Sequence, residues 1–191
     1  MPQGRLFVVA GPSGAGKGTL IEELIRRYPD VWLSVSATTR KPRRGEVDGV
    51  HYRFLDEKEF REMRDAGEFL EWAEVHGNLY GTPRASVAQE LASGRDVILE
   101  IDVQGARQMR EKVPDAAFIF VLPPSVEVLE ERLRNRGTEK EGDLGTRLRN
   151  AIEECREKDD YEYVVVNDQL HRAEDELCAI YEKESPLLRG E

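Results

Sequence analysis

The feature that most restricts this chain is the segment Gly11-Pro12-Ser13-Gly14-Ala15-Gly16-Lys17-Gly18-Thr19, set between two stretches of opposite character. Before it, Leu6, Phe7, Val8 and Val9 form a short continuous apolar run, the pattern of a strand buried on both faces. After it, Leu20, Ile21, Leu24, Ile25 and Tyr28 recur at helical spacing, with Glu22, Glu23, Arg26 and Arg27 between them, until Pro29 ends the pattern. Strand, glycine-rich turn and helix in that order leave few folds open. Gly11 to Lys17 fits GxxxxGK: the glycines let backbone amides turn inward around an anion, the helix amino terminus adds positive potential, and the lysine supplies a full charge to the outer phosphates. The expectation is a bound nucleoside triphosphate, held by residues 11 to 19.

Gly18 stands where the general pattern has Ser or Thr, so the hydroxyl that would ligate magnesium directly is missing at its usual place. Either Thr19 or water holds the metal, or the phosphates carry it. The second is favoured because Mg2+ sheds its waters reluctantly. No protein residue is assigned as a metal ligand.

Further strand-like runs lie at Val97-Ile98-Leu99 with Ile101, at Phe118 to Leu122 and at Tyr163 to Val166. Helical patterns separate them, over about 84–93, 103–112, 125–136, 143–159 and 170–184. This alternation predicts an α/β fold with a parallel sheet flanked by helices, the P-loop NTPase arrangement. Residues 36–83 break it with Ser, Thr, Arg, Pro and Gly, then mixed short strands, one helix near 56–66 and the aromatics Phe69, Trp72 and Tyr80. They read as an inserted mixed α/β lobe. Residues 136–143 form a second irregular stretch with almost nothing apolar to bury, which reads as mobile.

At 191 residues one domain is expected, 1–191, with the inserted lobe inside it. A net charge of -10 excludes a general binder of nucleic acid or anionic membrane, since both need a broad positive field. Phosphate must therefore be met locally, and two basic islands offer themselves: Arg40-Lys41-Pro42-Arg43-Arg44, and Arg132, Arg134, Arg136, Arg147 and Arg149. The first lacks the interleaved aromatics of a nucleic-acid patch. Helix pairing with Glu127, Glu130 and Glu131 accounts for part of the second. No apolar run approaches the roughly 18 residues that span a bilayer, and Met1 to Gly4 lead into a strand without a signal segment, so a cytoplasmic protein is expected. Cys155 and Cys178 are far apart and form no CxxC pair, and His51, His76 and His171 are scattered; none is given a catalytic role.

Over nearly its whole length the sequence resembles the guanylate kinases, nucleoside monophosphate kinases specific for GMP. The resemblance rests on GPSGAGKGT at 11–19, SVSATTRKPRRGEVDGVHY at 34–52, FLEWAEVHGNLYGT at 69–82, ILEIDVQG at 98–105 and the arginine-rich stretch from Arg132 to Arg149. Relatives among the monophosphate kinases also carry GKGT, which fits Gly18. The resemblance implies that Ser36, Arg40, Arg43, Tyr52, Glu71, Tyr80, Thr82 and Asp102 line a GMP site. It also implies that Arg132, Arg136 and Arg147, in a lid over 132–149, close over the transferring group, with Asn167 near the adenine. Thr82 stands where a serine is familiar and Glu100 where an aspartate is.

The residue chemistry agrees independently. Guanidinium forks of Arg40 and Arg43, with the hydroxyls of Tyr52 and Tyr80, suit a dianionic phosphate. Carboxylates suit guanine, whose N1-H and N2 amino group are donors; Glu71 and Asp102 can accept from them while Ser36 and Thr82 donate to O6. A monophosphate kinase for AMP or a deoxynucleotide would give no reason for that acidic pair. Guanylate-kinase-like domains also occur as catalytically silent modules that bind a phosphorylated peptide, but here Gly16, Lys17, Arg40, Arg43 and the lid arginines are intact. The expected reaction passes the terminal phosphoryl group of ATP to GMP, and to dGMP, in purine nucleotide metabolism, with Lys17, Arg40, Arg132, Arg136 and Arg147 as its catalytic set. The oligomeric state stays open.

Overall fold

The structure, a computed structural model, describes residues 4–75, 77–135 and 141–189. In chain order its elements are β1 (Leu6–Ala10), α1 (Lys17–Arg27), β2 (Trp32–Leu33), β3 (Ala37–Thr38), β4 (Arg53–Phe54), α2 (Glu57–Asp65), β5 (Phe69–Val75), β6 (Asn78–Pro83) and α3 (Arg84–Ala92). Then follow β7 (Val97–Glu100), α4 (Val103–Lys112), β8 (Ala117–Leu122), α5 (Val126–Asn135), α6 (Glu141–Cys155), a 3-10 turn (Arg156–Asp160), β9 (Tyr163–Val166), α7 (Leu170–Glu184) and α8 (Pro186–Arg189).

The main sheet is parallel throughout, in the order β2-β7-β1-β8-β9. Its strands are apolar on both faces because both faces are covered. Phe7 and Val9 of β1, Ile98 of β7, and Ala117, Ile119 and Val121 of β8 pack with Leu20, Ile21 and Leu24 of α1 and Leu177 and Tyr181 of α7. The alternate residues Leu6, Val8, Val97, Leu99, Phe118 and Phe120 pack with Val87 of α3 and Ala106 and Met109 of α4. Strand β1 is central, and the chain continues to β7 on one side of it and β8 on the other. Its carboxyl end therefore opens into the crevice where parallel sheets bind ligands.

Residues 37–83 build a separate four-stranded sheet, β4-β3-β6-β5, over a small core of Ala37, Leu55, Phe60, Met63, Phe69 and Leu79. Helix α2 starts where expected, with Asp56 accepting from the Glu59 amide at 2.8 Å. Two expectations need adjusting. Strand β2 was not anticipated, being two residues long. The helix expected over 143–159 begins at Glu141 and tightens into the 3-10 turn after Cys155. Residues 136–140 lie outside the described residues, and with them most of the stretch read as irregular. Among the described residues no helix is long and apolar enough to cross a membrane. Cys178 is buried, Cys155 half-buried, and both are free thiols.

A buried polar knot ties the carboxyl end of α7 to the start of the sheet. Asp96 is fully buried and accepts from the Arg5 amide at 2.7 Å, the Tyr181 hydroxyl at 3.1 Å and the Ser185 hydroxyl. Arg5 also pairs with Glu184 at 2.6 Å, whose carboxylate takes the Tyr163 hydroxyl at 2.7 Å. Asp96→Ala leaves three donors without their acceptor. It is expected to cost about 3 kcal/mol, read as a lower urea midpoint at unchanged slope.

Candidate active site

The loop after β1 has the geometry its glycines require. Gly16 caps α1 in the left-handed region at φ 93°, and a Cβ there would lie 2.4 Å from Asn167 Nδ2. At Gly11, φ 138°, a Cβ would lie 2.3 Å from the Val121 carbonyl. The loop is thus moulded against the carboxyl ends of β8 and β9. Lys17 Nζ donates to the carbonyls of Gly11 at 2.7 Å and Pro12 at 3.3 Å, so the ammonium is folded over the loop it serves.

Two cavities meet at this loop. The first is lined by Gly11, Ser13, Gly14, Gly16 and Lys17 from the loop, and by Ser36, Arg40, Arg43, Tyr52, Glu71, Val75 and Tyr80 from the second sheet and its loops. Glu100, Ile101, Asp102, Arg147 and Glu154 complete it. The second lies across the loop, with Gly14, Gly16, Thr19, Arg132, Asn135, Asn167, Asp168 and Leu170. Arg132 donates to the carbonyls of Ala15 at 3.2 Å and Asn167 at 3.1 Å, and Asn167 Nδ2 donates to Ala15 at 2.8 Å. Pro12 and Ala15 are buried parts of the loop. Arg136, expected here, and His76 lie outside the described residues.

On the second sheet, Arg40 is held edge-on by Glu46, with Nη1 and Nη2 at 2.9 and 2.8 Å from its two oxygens, and lies over the Tyr52 ring at 5.3 Å. Glu46 also accepts from the Arg43 amide at 2.6 Å, and the Arg40 hydrogen bonds hold its carboxyl below the usual range. Burial pushes the Tyr52 hydroxyl up to about 12, so it remains a donor at neutral pH. Arg134 pairs with Glu130 at 2.6 Å, which makes it one of the helix-paired arginines. His51 accepts from the Val47 amide, and His171 lies near Glu174 and Asp175 at the surface.

The two carboxylates expected from the sequence to face a base, Glu71 and Asp102, come together. Glu71 on β5 is only 3% exposed, and Asp102 caps α4, accepting from the Gly105 amide at 2.9 Å and from Gln104 at 3.2 Å. Burial pushes the Glu71 carboxyl up to about 7; the Thr82 hydroxyl opposes this and the neighbouring Asp102 adds to it. Burial likewise raises Asp102. Thr82 is fully buried beside Glu71 and donates to Glu71 Oε1 at 2.5 Å, so its hydroxyl braces the acid.

Sequence reasoning missed Glu46 and Glu154. Glu154 sits on α6 with Arg147 and buried Ala151 at positions i, i+4 and i+7, the spacing of one helical face, which was the available clue. Burial raises its carboxyl to about 7, against the opposing charge of Lys17 and the nearby Ser13 amide. Arg147 is 7% exposed, with Nη2 3.5 Å from Ser13 Oγ.

Comparison with known proteins decides the family. The guanylate kinase family model matches residues 3–184. The chain belongs to the guanylate kinase family. It is 52% identical over 180 residues to a guanylate kinase of Carboxydothermus hydrogenoformans, covering 94% of this chain and 88% of that one. To a guanylate kinase of Symbiobacterium thermophilum it is 54% identical over 179 residues, 94% and 85% of the two chains. The crystal structure of guanylate kinase from Anaplasma phagocytophilum superposes with a TM-score of 0.80 at 33% identity, covering 96% of this chain and 87% of that one. A gluconokinase from Sinorhizobium meliloti, at 20% identity and a TM-score of 0.54 over 98% and 97% of the chains, shares the fold alone.

The buried acids give this guanylate kinase family member a characteristic pH response. A carboxyl raised to about 7 in the folded protein, against about 4.5 when unfolded, binds its proton more tightly in the native state. Stability therefore falls as pH rises from about 4.5 to about 7 and levels off above. Glu71→Gln removes this contribution. Without nucleotide the variant is expected to be more stable than the parent at pH 8, by roughly 2–3 kcal/mol, with the difference vanishing towards pH 4.5. Urea titrations of both proteins across that range test it.

Proposed function

We propose that this chain transfers the terminal phosphoryl group of ATP to GMP, and to dGMP, giving ADP and GDP. The observation that carries the reading is a single cavity lined both by the Lys17 loop and by the buried acids Glu71 and Asp102. Membership of the family, with relatives named guanylate kinases at about half identity over nearly the full chain, supports it.

In this reading residues 36–83 are the GMP-binding lobe, 132–149 the lid and the remainder the P-loop core. Backbone amides from Gly11 to Thr19 and the Lys17 ammonium hold the outer phosphates of ATP, while Arg132 and Asn167 border the cavity that takes the adenine side. Arg40, Arg43, Tyr52 and Tyr80 hold the GMP phosphate, Ser36 donates to O6, and Glu71, braced by Thr82, accepts from N1-H and the N2 amino group with Asp102. Magnesium, when bound with ATP, would supply charge neutralisation. Thr19 is exposed and lines the far cavity, whereas Glu100 and Asp102 line the near one, a donor set suited to the metal's water shell.

The acceptor oxygen of GMP is already anionic at neutral pH, so no general base is needed. The protein's task is alignment and charge neutralisation. Arg40 and Arg43 aim the acceptor, Arg147 stands beside Ser13 at the donor end, and Arg136 joins them by family resemblance. The reaction is read as cytoplasmic recycling of GMP.

A coupled assay of ADP formation with GMP, IMP, AMP, UMP and dTMP tests the base assignment. Adenine sets an N1 lone pair against a carboxylate and has no N2 amino group, so kcat/KM for GMP should exceed that for AMP by roughly four powers of ten, with IMP between. Comparable values for GMP and AMP would refute it. Lys17→Ala should keep a native circular dichroism spectrum while turnover falls roughly 100-fold or more.

A further inference from the structure

We infer that Gly105 is a positioning residue for base selection: the side chain it lacks is the slot that the Glu71 carboxylate fills. This deepens the guanine reading above and rests on it.

Glycine weakens a helix interior relative to alanine, and Gly105 lies in the first turn of α4 without the positive φ that would demand glycine. The reason for it lies outside its own backbone. A Cβ at this position would stand 2.3 Å from Glu71 Oε2 and 2.9 Å from Glu71 Cδ, with Asp102 Oδ1 at 3.3 Å. The nearest atoms are thus those of the two carboxyl groups that read the base. The Gly105 amide also donates to Asp102, so one residue sets the place of both acids. Gly81 offers a contrast, since a Cβ there would meet the rings of Phe69 and Phe60, a matter of packing alone.

The clash cannot be relieved by backing the helix away. Gln104 donates to the Glu74 carbonyl at 3.3 Å, Gln108 both donates to the Trp72 carbonyl at 2.6 Å and accepts from the Trp72 amide at 3.3 Å, and Lys112 donates to the Leu70 carbonyl at 2.5 Å. These three side chains, four residues apart, stitch α4 to the open edge of β5. On its other side the helix is anchored by fully buried Ala106 and Met109 under the main sheet. The softer partner is the carboxylate, which must swing away from the new methyl group and give up its bond to Thr82.

Gly105→Ala should therefore raise KM for GMP at least tenfold, with a smaller change in kcat, and narrow the GMP over AMP ratio of kcat/KM at least tenfold. KM for ATP, measured at saturating GMP, should stay within twofold. The decisive arm is the same substitution in a Glu71→Ala background, where the slot is vacant: there Gly105→Ala should change KM for GMP less than twofold. An equal effect in both backgrounds would overturn the assignment. If Gly105→Ala alone fails to fold, the double variant should fold, because the clash is gone; failure of the double variant as well would overturn it. A wild-type protein without preference for GMP would sink the functional reading, whereas a wild type that prefers GMP but shows no coupling between positions 105 and 71 would sink this inference alone.

Discussion

A strongly acidic protein can hold a triphosphate only where local groups, backbone amides and a lysine, do the holding, and everything else in this molecule is arranged around that requirement. With a net charge of -10, no general field draws phosphate in. The loop after β1 must present its amides inward, which forces the left-handed backbone at Gly16 and the close approaches at Gly11 and Gly16. Those approaches exist only because β8 lies next to β1 and β9 next to β8, so the strand order is a condition of the site. The alternating burial of β1, β7 and β8 between two helical layers keeps that order.

The second constraint is the opposite one, a negative charge kept out of water. Glu71 and Asp102 are buried without a cationic partner at bonding distance among the described contacts, and burial raises both. A protein bears such a cost where function requires it. On the proposed reading the missing partners are the donors of guanine. The acids come from different elements, Glu71 from the edge strand β5 and Asp102 from the cap of α4, and the hydrogen bonds from Gln104, Gln108 and Lys112 to β5 join the two. That seam also covers a sheet edge that would otherwise be open.

Much of this was legible in the sequence because it is written in short-range patterns. The turn after β1, the four apolar strands of the main sheet and most helix boundaries follow from periodicity and from glycine and proline positions. Strand β2 was not legible, since two residues carry no period. The roles of Thr82, Glu46 and Glu154 depend on which side chain lies opposite another after folding. Thr82 faces Glu71 only because β6 pairs antiparallel with β5, with Glu71 opposite Thr82 in register. The hydrogen bond between the two could not be read from sequence. Glu154 is one acid among several on a charged helix until the fold brings it to the cavity that Ser13 and Lys17 line.

Direct transfer between two ligands aligned in one cavity has a rival route, since that cavity also contains carboxylates, Glu100, Asp102 and Glu154, chemically able to accept a phosphoryl group. Stereochemistry separates the two routes. ATP made chiral at its terminal phosphorus with three oxygen isotopes would be turned over with GMP, and the configuration of the GDP product determined. Direct in-line transfer predicts inversion at phosphorus; retention would mean two displacements through a phosphorylated side chain and would contradict the account.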